Sequence, residues 1–344
     1  MTRVAINGLG RVGRLVLRRY MEVRPEDVEI VALNKPSSPQ EMAYFIKYDS
    51  VHGKADFSVE PGENSLVLEG NEIPLFSERD PSKLPWKELE VDIVLECTGH
   101  FTRKEKALAH IDAGAERVII SAPSENADLC VVLGVNEDQY EPEKHRVVSN
   151  ASCTTNSIAP AIKVLNDTFG IDFLMGTTIH AYTATQKLLD IPKGGCRKNR
   201  AAALSMIPAS TGAAKALVPL FPELKGKMGM SAVRVPVADG SLSDLVVHLQ
   251  RDADEGEVNE ALESASKGEL KGILEYSREE LVSVDIVGNT HSGIVDSLST
   301  KMLMGRVAKV MIWYDNEYGY ASRLLELAQF IGAKESSVCG VSAY

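Results

Sequence analysis

The 344-residue chain has no apolar run approaching the length needed to cross a bilayer. Met1-Thr2-Arg3 leads straight into Val4-Ala5-Ile6, without the layout of a signal peptide. Cysteine is scarce: Cys97, Cys130, Cys153, Cys196 and Cys339 are odd in number, widely spaced and without a CxxC pair. That pattern excludes a disulfide framework and a zinc site, so no metal is expected. Positive charge is also short, with 37 Lys and Arg against 48 Asp and Glu and a net charge of −11. Such a surface makes nucleic acid a poor default partner. No internal repeat, low-complexity segment or long linker interrupts the chain. A cytoplasmic protein without a membrane partner is the expectation. What is present is ordinary globular material, 44% hydrophobic and 25% charged, in a chain long enough for two domains with separate cores.

The most informative stretch is Ser149-Asn150-Ala151-Ser152-Cys153-Thr154-Thr155-Asn156. A β-branched run ends at Val148, and Ile158, Ile162, Leu165 and Phe169 follow at helical spacing. Cys153 is therefore expected where a strand hands over to a helix, with Ser152 or Thr154 as the cap. A helix start favours a thiolate over a thiol and suits a bound anion. The octet alone leaves two readings open, a catalytic cysteine and a buried, inert one.

The first half reads as a nucleotide-binding domain. The buried strand Arg3 to Asn7 runs into Gly8-Leu9-Gly10-Arg11-Val12-Gly13, and Leu15, Val16 and Tyr20 continue as a helix. Strand, GxGxxG and helix together form a dinucleotide-binding pattern, in which the first two glycines allow a tight turn close to a pyrophosphate. The strand Val28 to Leu33 ends at Asn34-Lys35-Pro36. An acidic residue at that position would accept hydrogen bonds from a ribose, whereas Lys35 would pair with a 2′-phosphate or point into solvent. Leu66–Leu68 and Ile73–Phe76 are expected to form a hairpin around Gly70-Asn71. Asp92 to Glu96 is a buried strand leading to Cys97-Thr98-Gly99, and Arg117 to Ile120 is another, ending at Ser121. The alternation with helices implies a mostly parallel, doubly wound sheet whose ligand lies beyond the strands' carboxyl ends, where Gly8, Lys35, Thr98 and Ser121 fall.

The second half carries chemistry. Phe173 to Ile179 should be a strand delivering His180, a candidate acid–base partner for the sulfur or a structural histidine. Asp190 to Arg200 is a basic loop containing Lys193, Arg197, Lys198 and Arg200. It suggests an anionic ligand, a subunit contact or a solvated charge run. Thr211 and Gly212 sit at another helix start suited to phosphate. Arg234 lies in an apolar strand and should meet an acid or a ligand phosphate. Val282 to Ile286 and Val307 to Trp313 read as strands, giving an α+β domain with a mainly antiparallel sheet. The amphipathic helix from Tyr318 should stop at Gly332, leaving a small-residue, mobile tail that contains Cys339. The expected division is 1–152 for the dinucleotide domain, with helix 317–333 packing back on it. The catalytic domain is then 153–316 and the tail 334–344.

These residues converge on a family. From INGLGRVGR to about Ala333 the chain resembles phosphorylating glyceraldehyde-3-phosphate dehydrogenases. The shared strings are KYDSVHG (Lys47–Gly53), ECTG (Glu96–Gly99), SNASCTTN, HAYTATQK (His180–Lys187), IPASTGAAKA, RVP (Arg234–Pro236) and WYDNE (Trp313–Glu317). The resemblance implies a Rossmann-type domain followed by the α+β catalytic domain, in a homotetramer. It implies Cys153 as nucleophile and His180 as its base. Thr183 and Arg234 would hold the C3 phosphate of glyceraldehyde 3-phosphate, and Ser152, Thr154, Thr211 and Gly212 the attacking inorganic phosphate. Arg200 would be a second basic residue near the anion sites. Gly8, Gly10, Arg11, Val12, Asn34, Lys35, Arg79, Thr98, Gly99, Ser121 and Asn316 would line the cofactor.

Three positions depart from the family pattern. Lys35 replaces the usual aspartate and favours NADP, whereas the rigid Ile191-Pro192 pair favours NAD. Tyr318 stands in place of a tryptophan, and Gly195-Cys196 is atypical in the basic loop. Erythrose-4-phosphate dehydrogenase, or an NADPH-linked biosynthetic direction, is the neighbouring reading. A cysteine hydrolase or acyltransferase would need no Gly8–Gly13 motif. A catalytically silent dinucleotide sensor would need no Cys153, His180 and Arg234 set.

Overall fold

The computed structural model describes residues 1–192 and 195–341, with side chains through residue 337. Lys193 and the side chain of Cys339 lie outside that range. The chain divides into two compact units. One comprises Met1–Val131, Asn136–Ala151 and Ala321–Tyr344; the other comprises Val132–Val135 and Ser152–Tyr320.

The first unit contains β1 (Thr2–Asn7), α1 (Arg11–Val23), β2 (Val28–Asn34), α2 (Pro39–Lys47), β3 (Tyr48–Asp49), β4 (Gly53–Lys54), β5 (Val59–Pro61), β6 (Ser65–Leu68) and β7 (Asn71–Phe76). It continues with β8 (Ile93–Glu96), α3 (Lys104–Asp112), β9 (Arg117–Ile120), β10 (Leu129–Cys130) and β11 (Val147–Ser149). Nine of these strands form one sheet in the order β10-β11-β9-β8-β1-β2-β7-β6-β5. It is parallel from β10 to β7 and antiparallel across β7, β6 and β5. Strands buried on both faces need continuous apolar runs, and Val4-Ala5-Ile6, Ile93-Val94-Leu95 and Val118-Ile119-Ile120 supply them, each residue at most 1% exposed. The expected hairpin forms, but its turn is Glu69-Gly70 rather than Gly70-Asn71. Those two residues have φ of 50° and 83°, the left-handed pair that matches the twist of the flanking strands.

The second unit contains α4 (Cys153–Phe169), β12 (Ile171–Ala181), β13 (Ile207–Ala209), α5 (Ala213–Leu217), β14 (Met228–Val235) and β15 (Ser241–Leu249). After them come α6 (Glu255–Lys267), β16 (Leu274–Ser277), β17 (Gly293–Leu303) and β18 (Val307–Tyr314). The seven strands run β13-β14-β12-β15-β18-β17-β16, antiparallel except for β12 with β14 and β16 with β17. Helix α4 packs on β15, β17 and β18 and against α6. A Cβ on Gly293 would lie 2.5 Å from the Ser157 carbonyl oxygen, so only glycine lets α4 and β17 approach this closely. Ser283–Ile286 is a single 3₁₀ turn rather than the expected strand. Val282 and Val284 are exposed there, and Asp285 accepts the Val282 N–H at 2.9 Å, a local polar bond that closes a turn.

The last helix, α7, spans Tyr318–Val341 and does not stop at Gly332. Gly332 serves packing instead: a Cβ there would lie 2.0 Å from Thr2 Oγ1. Within the first unit, Gln329 donates to Asp27 at 2.9 Å, and Glu335 accepts from Arg117 at 2.8 Å and from the Tyr140 hydroxyl at 2.7 Å. The segment expected to be a mobile tail therefore begins as anchored helix. Among the described residues no helix is long and apolar enough to cross a membrane.

Candidate active site

β11 ends at Ser149 and α4 begins at Cys153, so the cysteine stands at the strand-to-helix handover. Ala151 is held at φ 54°, a strained conformation for a residue with a side chain. Ser152 is the cap: its Oγ accepts the Thr155 N–H at 3.0 Å and lies 2.8 Å from the Thr155 hydroxyl. His180 is the penultimate residue of β12, and its Nε2 lies 3.5 Å from Cys153 Sγ. The separation in sequence is 27 residues, and it is closed because β12 runs back along the sheet on which α4 lies.

On the other side of the imidazole, Nδ1 lies 2.7 Å from the Ala181 carbonyl, which can only accept, and 2.7 Å from Arg234 Nη1, which can only donate and also reaches that carbonyl at 3.0 Å. The tautomer with its proton on Nδ1, donated to Ala181 with Arg234 serving the carbonyl alone, leaves the Nε2 lone pair facing sulfur, the form a base requires. Burial, reinforced by the guanidinium beside it, pushes His180 down to about 4. The Cys153 thiol is pushed up to about 11 by burial, against the opposing pull of Arg234 and of hydrogen bonds from Thr154. Burial thus opposes the thiolate that the helix start favours, and it also opposes the imidazolium. Cys97 is pushed up to about 12 and Cys130 to about 11 by the same cause. Acidity does not single out Cys153; its imidazole neighbour does.

The other expected residues divide. Arg234 meets a carbonyl and a ring nitrogen and no acid, which leaves the ligand phosphate of the two expected partners, and it is only half-buried. Thr154 is 4% exposed, and its hydroxyl is held by Tyr314 at 3.0 Å, which in turn contacts Thr178 at 2.7 Å. Both the backbone N–H and the hydroxyl of Thr154 also reach the sulfur. Thr183 bonds Thr185 at 2.9 Å, and Thr211 accepts the Ala213 N–H at 3.1 Å. Gly212 caps α5, with open space where a Cβ would project. Arg200 is largely exposed and paired with Asp190 at 2.7 Å, not gathered beside Cys153. Asn316 is buried, and Ser241 links it to the histidine strand. The Ala181 N–H donates to Ser241 Oγ at 3.0 Å, and Ser241 donates to Asn316 Oδ1 at 2.5 Å.

Sequence reading missed Ser241, Tyr314 and the carboxyl pair Asp239 and Asp315. Both acids are at most 2% exposed, and Asp239 is pushed well up by burial and by Asp315 beside it. Asp315 accepts the N–H groups of Gly288, Glu317 and Tyr318. The string WYDNE contains the signal for Asp315, an acid placed at the start of a helix.

In the first unit a cavity of about 390 Å³ opens at the carboxyl ends of β1, β2 and β8. Gly8, Gly10, Asn34, Lys35, Arg79 and Thr98 line it, together with the unpredicted Glu78. Arg11, Val12, Gly99 and Ser121 are not among its lining residues. Arg11 is instead paired with Asp49, whose carboxyl drops to about 2 because the Arg11 and backbone bonds overcome desolvation. Ser121 donates to the Glu96 carbonyl at 2.9 Å. The glycines fit a dinucleotide. A Cβ on Gly8 would lie 2.7 Å from Thr98 N, one on Gly13 would lie 2.0 Å from the Gly8 carbonyl, and Gly10 faces open space. This is the division of labour expected of tight turn, close approach and helix packing.

A thiol–imidazole pair on one unit and a glycine-built nucleotide cradle on the other define a class, the dinucleotide-dependent oxidoreductases that work through a cysteine. Comparison with known proteins narrows it. Residues 2–104 match the family model described as glyceraldehyde 3-phosphate dehydrogenase, NAD binding domain, and residues 152–316 match that of the C-terminal domain. The chain is 50% identical over 332 residues to the glyceraldehyde-3-phosphate dehydrogenase of Geobacillus stearothermophilus, covering 96% of this chain and 98% of the relative. It is 50% identical over 331 residues to that of Thermotoga maritima, covering 96% and 99%. With glyceraldehyde-3-phosphate dehydrogenase 2 of Trichormus variabilis it shares 47% over 335 residues, covering 97% and 99%. The chain belongs to the glyceraldehyde-3-phosphate dehydrogenase family.

Proposed function

We propose that the chain oxidises glyceraldehyde 3-phosphate to 1,3-bisphosphoglycerate, with inorganic phosphate as second substrate and a nicotinamide dinucleotide as oxidant. The observation that carries this reading is the 3.5 Å approach of His180 Nε2 to Cys153 Sγ at the start of a capped helix. As sulfur adds to the aldehyde carbon, Nε2 takes the thiol proton and returns it to the new oxygen, giving a hemithioacetal. His180 then takes the hydroxyl proton of that adduct. The chemistry a bound nicotinamide supplies is acceptance of a hydride from the same carbon, which leaves a thioester on Cys153. Phosphate attacks the thioester carbonyl, the sulfur leaves, and the proton on His180 returns to it.

Arg234 and Thr183 are proposed to bind the C3 phosphate. For the attacking phosphate, Ser152, Thr154, Thr211 and Gly212 are proposed, with Arg200 a second basic residue near the anion sites. Gly8, Gly10, Asn34, Lys35, Arg79, Thr98 and Asn316 are proposed to hold the dinucleotide. Lys35 and Arg79 both line the cavity against one acid, Glu78, whose carboxylate already accepts the Arg79 and Asp80 N–H groups at 2.7 and 2.8 Å. Two cations at that end support NADP, while Pro192 remains the argument for NAD. Exposed Leu188, Leu189, Leu204 and Met206 support a homotetramer, which would cover such apolar side chains. A cytoplasmic enzyme remains the reading of the cysteine pattern.

The test is an assay of dinucleotide reduction with glyceraldehyde 3-phosphate, run with NAD and with NADP, each with and without inorganic phosphate. Reduction that depends on phosphate is expected, and equal rates without it would indicate a non-phosphorylating dehydrogenase. Lys35→Asp should shift the preference towards NAD; an unchanged ratio would show that Lys35 does not touch the cofactor.

A further inference from the structure

Beneath the nucleotide cavity lies a line of buried polar side chains whose hydrogen bonds all have a fixed direction. At one end, Trp86 is fully buried and its indole N–H donates to His110 Nδ1 at 2.9 Å. An indole nitrogen only donates, so His110 Nδ1 must be the acceptor and the ring proton must sit on Nε2. That nitrogen lies 3.1 Å from Glu96 Oε2, to which it donates. At the other end, Asn34 is fixed by backbone: its Oδ1 accepts the Glu78 N–H and its Nδ2 donates to the Glu78 carbonyl, both at 2.9 Å. The second Nδ2 hydrogen of Asn34 goes to Asn7 Oδ1 at 2.7 Å, which turns the Asn7 amide nitrogen to Glu96 Oε2 at 2.6 Å. Glu96 Oε1 meanwhile accepts the Thr98 N–H at 2.8 Å and the Thr98 hydroxyl. Donors from both ends converge on one carboxylate, which brings the two donor nitrogens, Asn7 Nδ2 and His110 Nε2, to 3.3 Å of each other, and Asn7, Asn34, Glu96 and His110 are each at most 3% exposed.

Three members of this line, Asn7, Asn34 and Thr98, are also walls of the cavity, and Asn34 grips the loop that carries Glu78 and Arg79. We infer that Glu96 is a positioning residue for the dinucleotide: as the one acceptor on which the Trp86–His110 and Asn34–Asn7 lines close, it sets the spacing of the β1, β2 and β8 ends and of the Glu78 loop. The inference rests on the reading of the cavity as the dinucleotide site. Glutamine has the shape of Glu96 but keeps only one acceptor oxygen: its NH₂ group must face either the His110 and Asn7 donors that share Oε2 or the Thr98 N–H and hydroxyl that share Oε1. Trp86 touches none of the cavity, yet its loss would free the His110 ring to take the other tautomer.

The experiment measures NAD and NADP affinity by calorimetry on the full-length protein, its Glu96→Gln variant and its Trp86→Phe variant. Steady-state rates at saturating dinucleotide and the alkylation rate of Cys153 without dinucleotide are measured beside it. Weakening of at least about 10-fold is expected for Glu96→Gln, since one misdirected buried group already has an effect of that order, and about 5-fold for Trp86→Phe on the same grounds. The loss should appear in KM for the dinucleotide, with kcat and Cys153 alkylation within about twofold of the parent. Should Glu96→Gln fail to fold, the Trp86→Phe result decides alone. Variants that melt earlier but bind dinucleotide like the parent would reduce the line to a structural feature and overturn the inference. A parent that binds neither dinucleotide would overturn the reading of the cavity and this inference with it.

Discussion

At the scale of single residues, burial disfavours the charged form of both partners, raising Cys153 to about 11 and lowering His180 to about 4. Alkylation of Cys153 by iodoacetamide in the free protein should therefore keep rising from about pH 7 to about pH 10, following the growing thiolate fraction. A plateau reached below neutrality would mean a standing ion pair instead. His180→Asn should lower kcat by ~10²–10⁴-fold, the usual contribution of a positioned base. The same variant has a second signature. The unfolded imidazole takes a proton below about 6.5, whereas the folded one refuses it until about 4. Its contribution to stability is therefore complete above the first value and is lost as pH falls through that window, by on the order of 3 kcal/mol. Urea midpoints at the two ends of the window should differ less in His180→Asn than in the parent; equal pH slopes would contradict the assignment. Much of this was legible, since Cys153 and His180 stand out by residue type and by their place at the ends of elements. The charge state was not, because it depends on how much protein surrounds the sulfur, which no local pattern records. The contact of the Thr154 hydroxyl with Tyr314 was hidden likewise, the two lying 160 residues apart.

At the scale of elements, the main strands and the parallel or antiparallel character of each sheet followed from apolar runs and turn residues, and errors arose where one residue type serves two purposes. Gly332 resembles a helix stop, yet α7 runs through it and the missing Cβ admits Thr2. Alanine is favoured over glycine in a helix by roughly 1 kcal/mol, so a mere stop would be stabilised or lengthened by Gly332→Ala. Packing predicts the reverse, a net loss of about 1–2 kcal/mol once overpacking against Thr2 is included. Thermal unfolding of the variant distinguishes the two by sign. Val282–Ile286 misled in a similar way: valines at strand-like spacing lie exposed on a turn closed by Asp285. The hairpin turn shifted by one residue because Glu69 accepts a left-handed conformation that composition assigns to glycine or asparagine.

At the scale of the whole molecule, the two units divide the labour. One supplies a glycine-built cavity lined by Lys35 and Arg79, the other the Cys153–His180 pair proposed as nucleophile and base. The motif strings were dense enough to place both halves in one family before any coordinates, and the family models and relatives agree across nearly the full chain. The buried lines of side chains that hold the site in register, Glu96 with His110 and Ser241 with Asn316, were not legible, because their members meet only when distant strands pair. The central claim is that Cys153 carries the acyl group between oxidation and phosphorolysis. The most direct measurement mixes the protein with glyceraldehyde 3-phosphate and dinucleotide in the absence of inorganic phosphate, quenches in acid and maps the adduct by mass spectrometry. The account predicts a phosphoglyceroyl thioester on Cys153 that disappears when phosphate is added, with 1,3-bisphosphoglycerate released; reduced dinucleotide formed in a full turnover with Cys153 never acylated would contradict it.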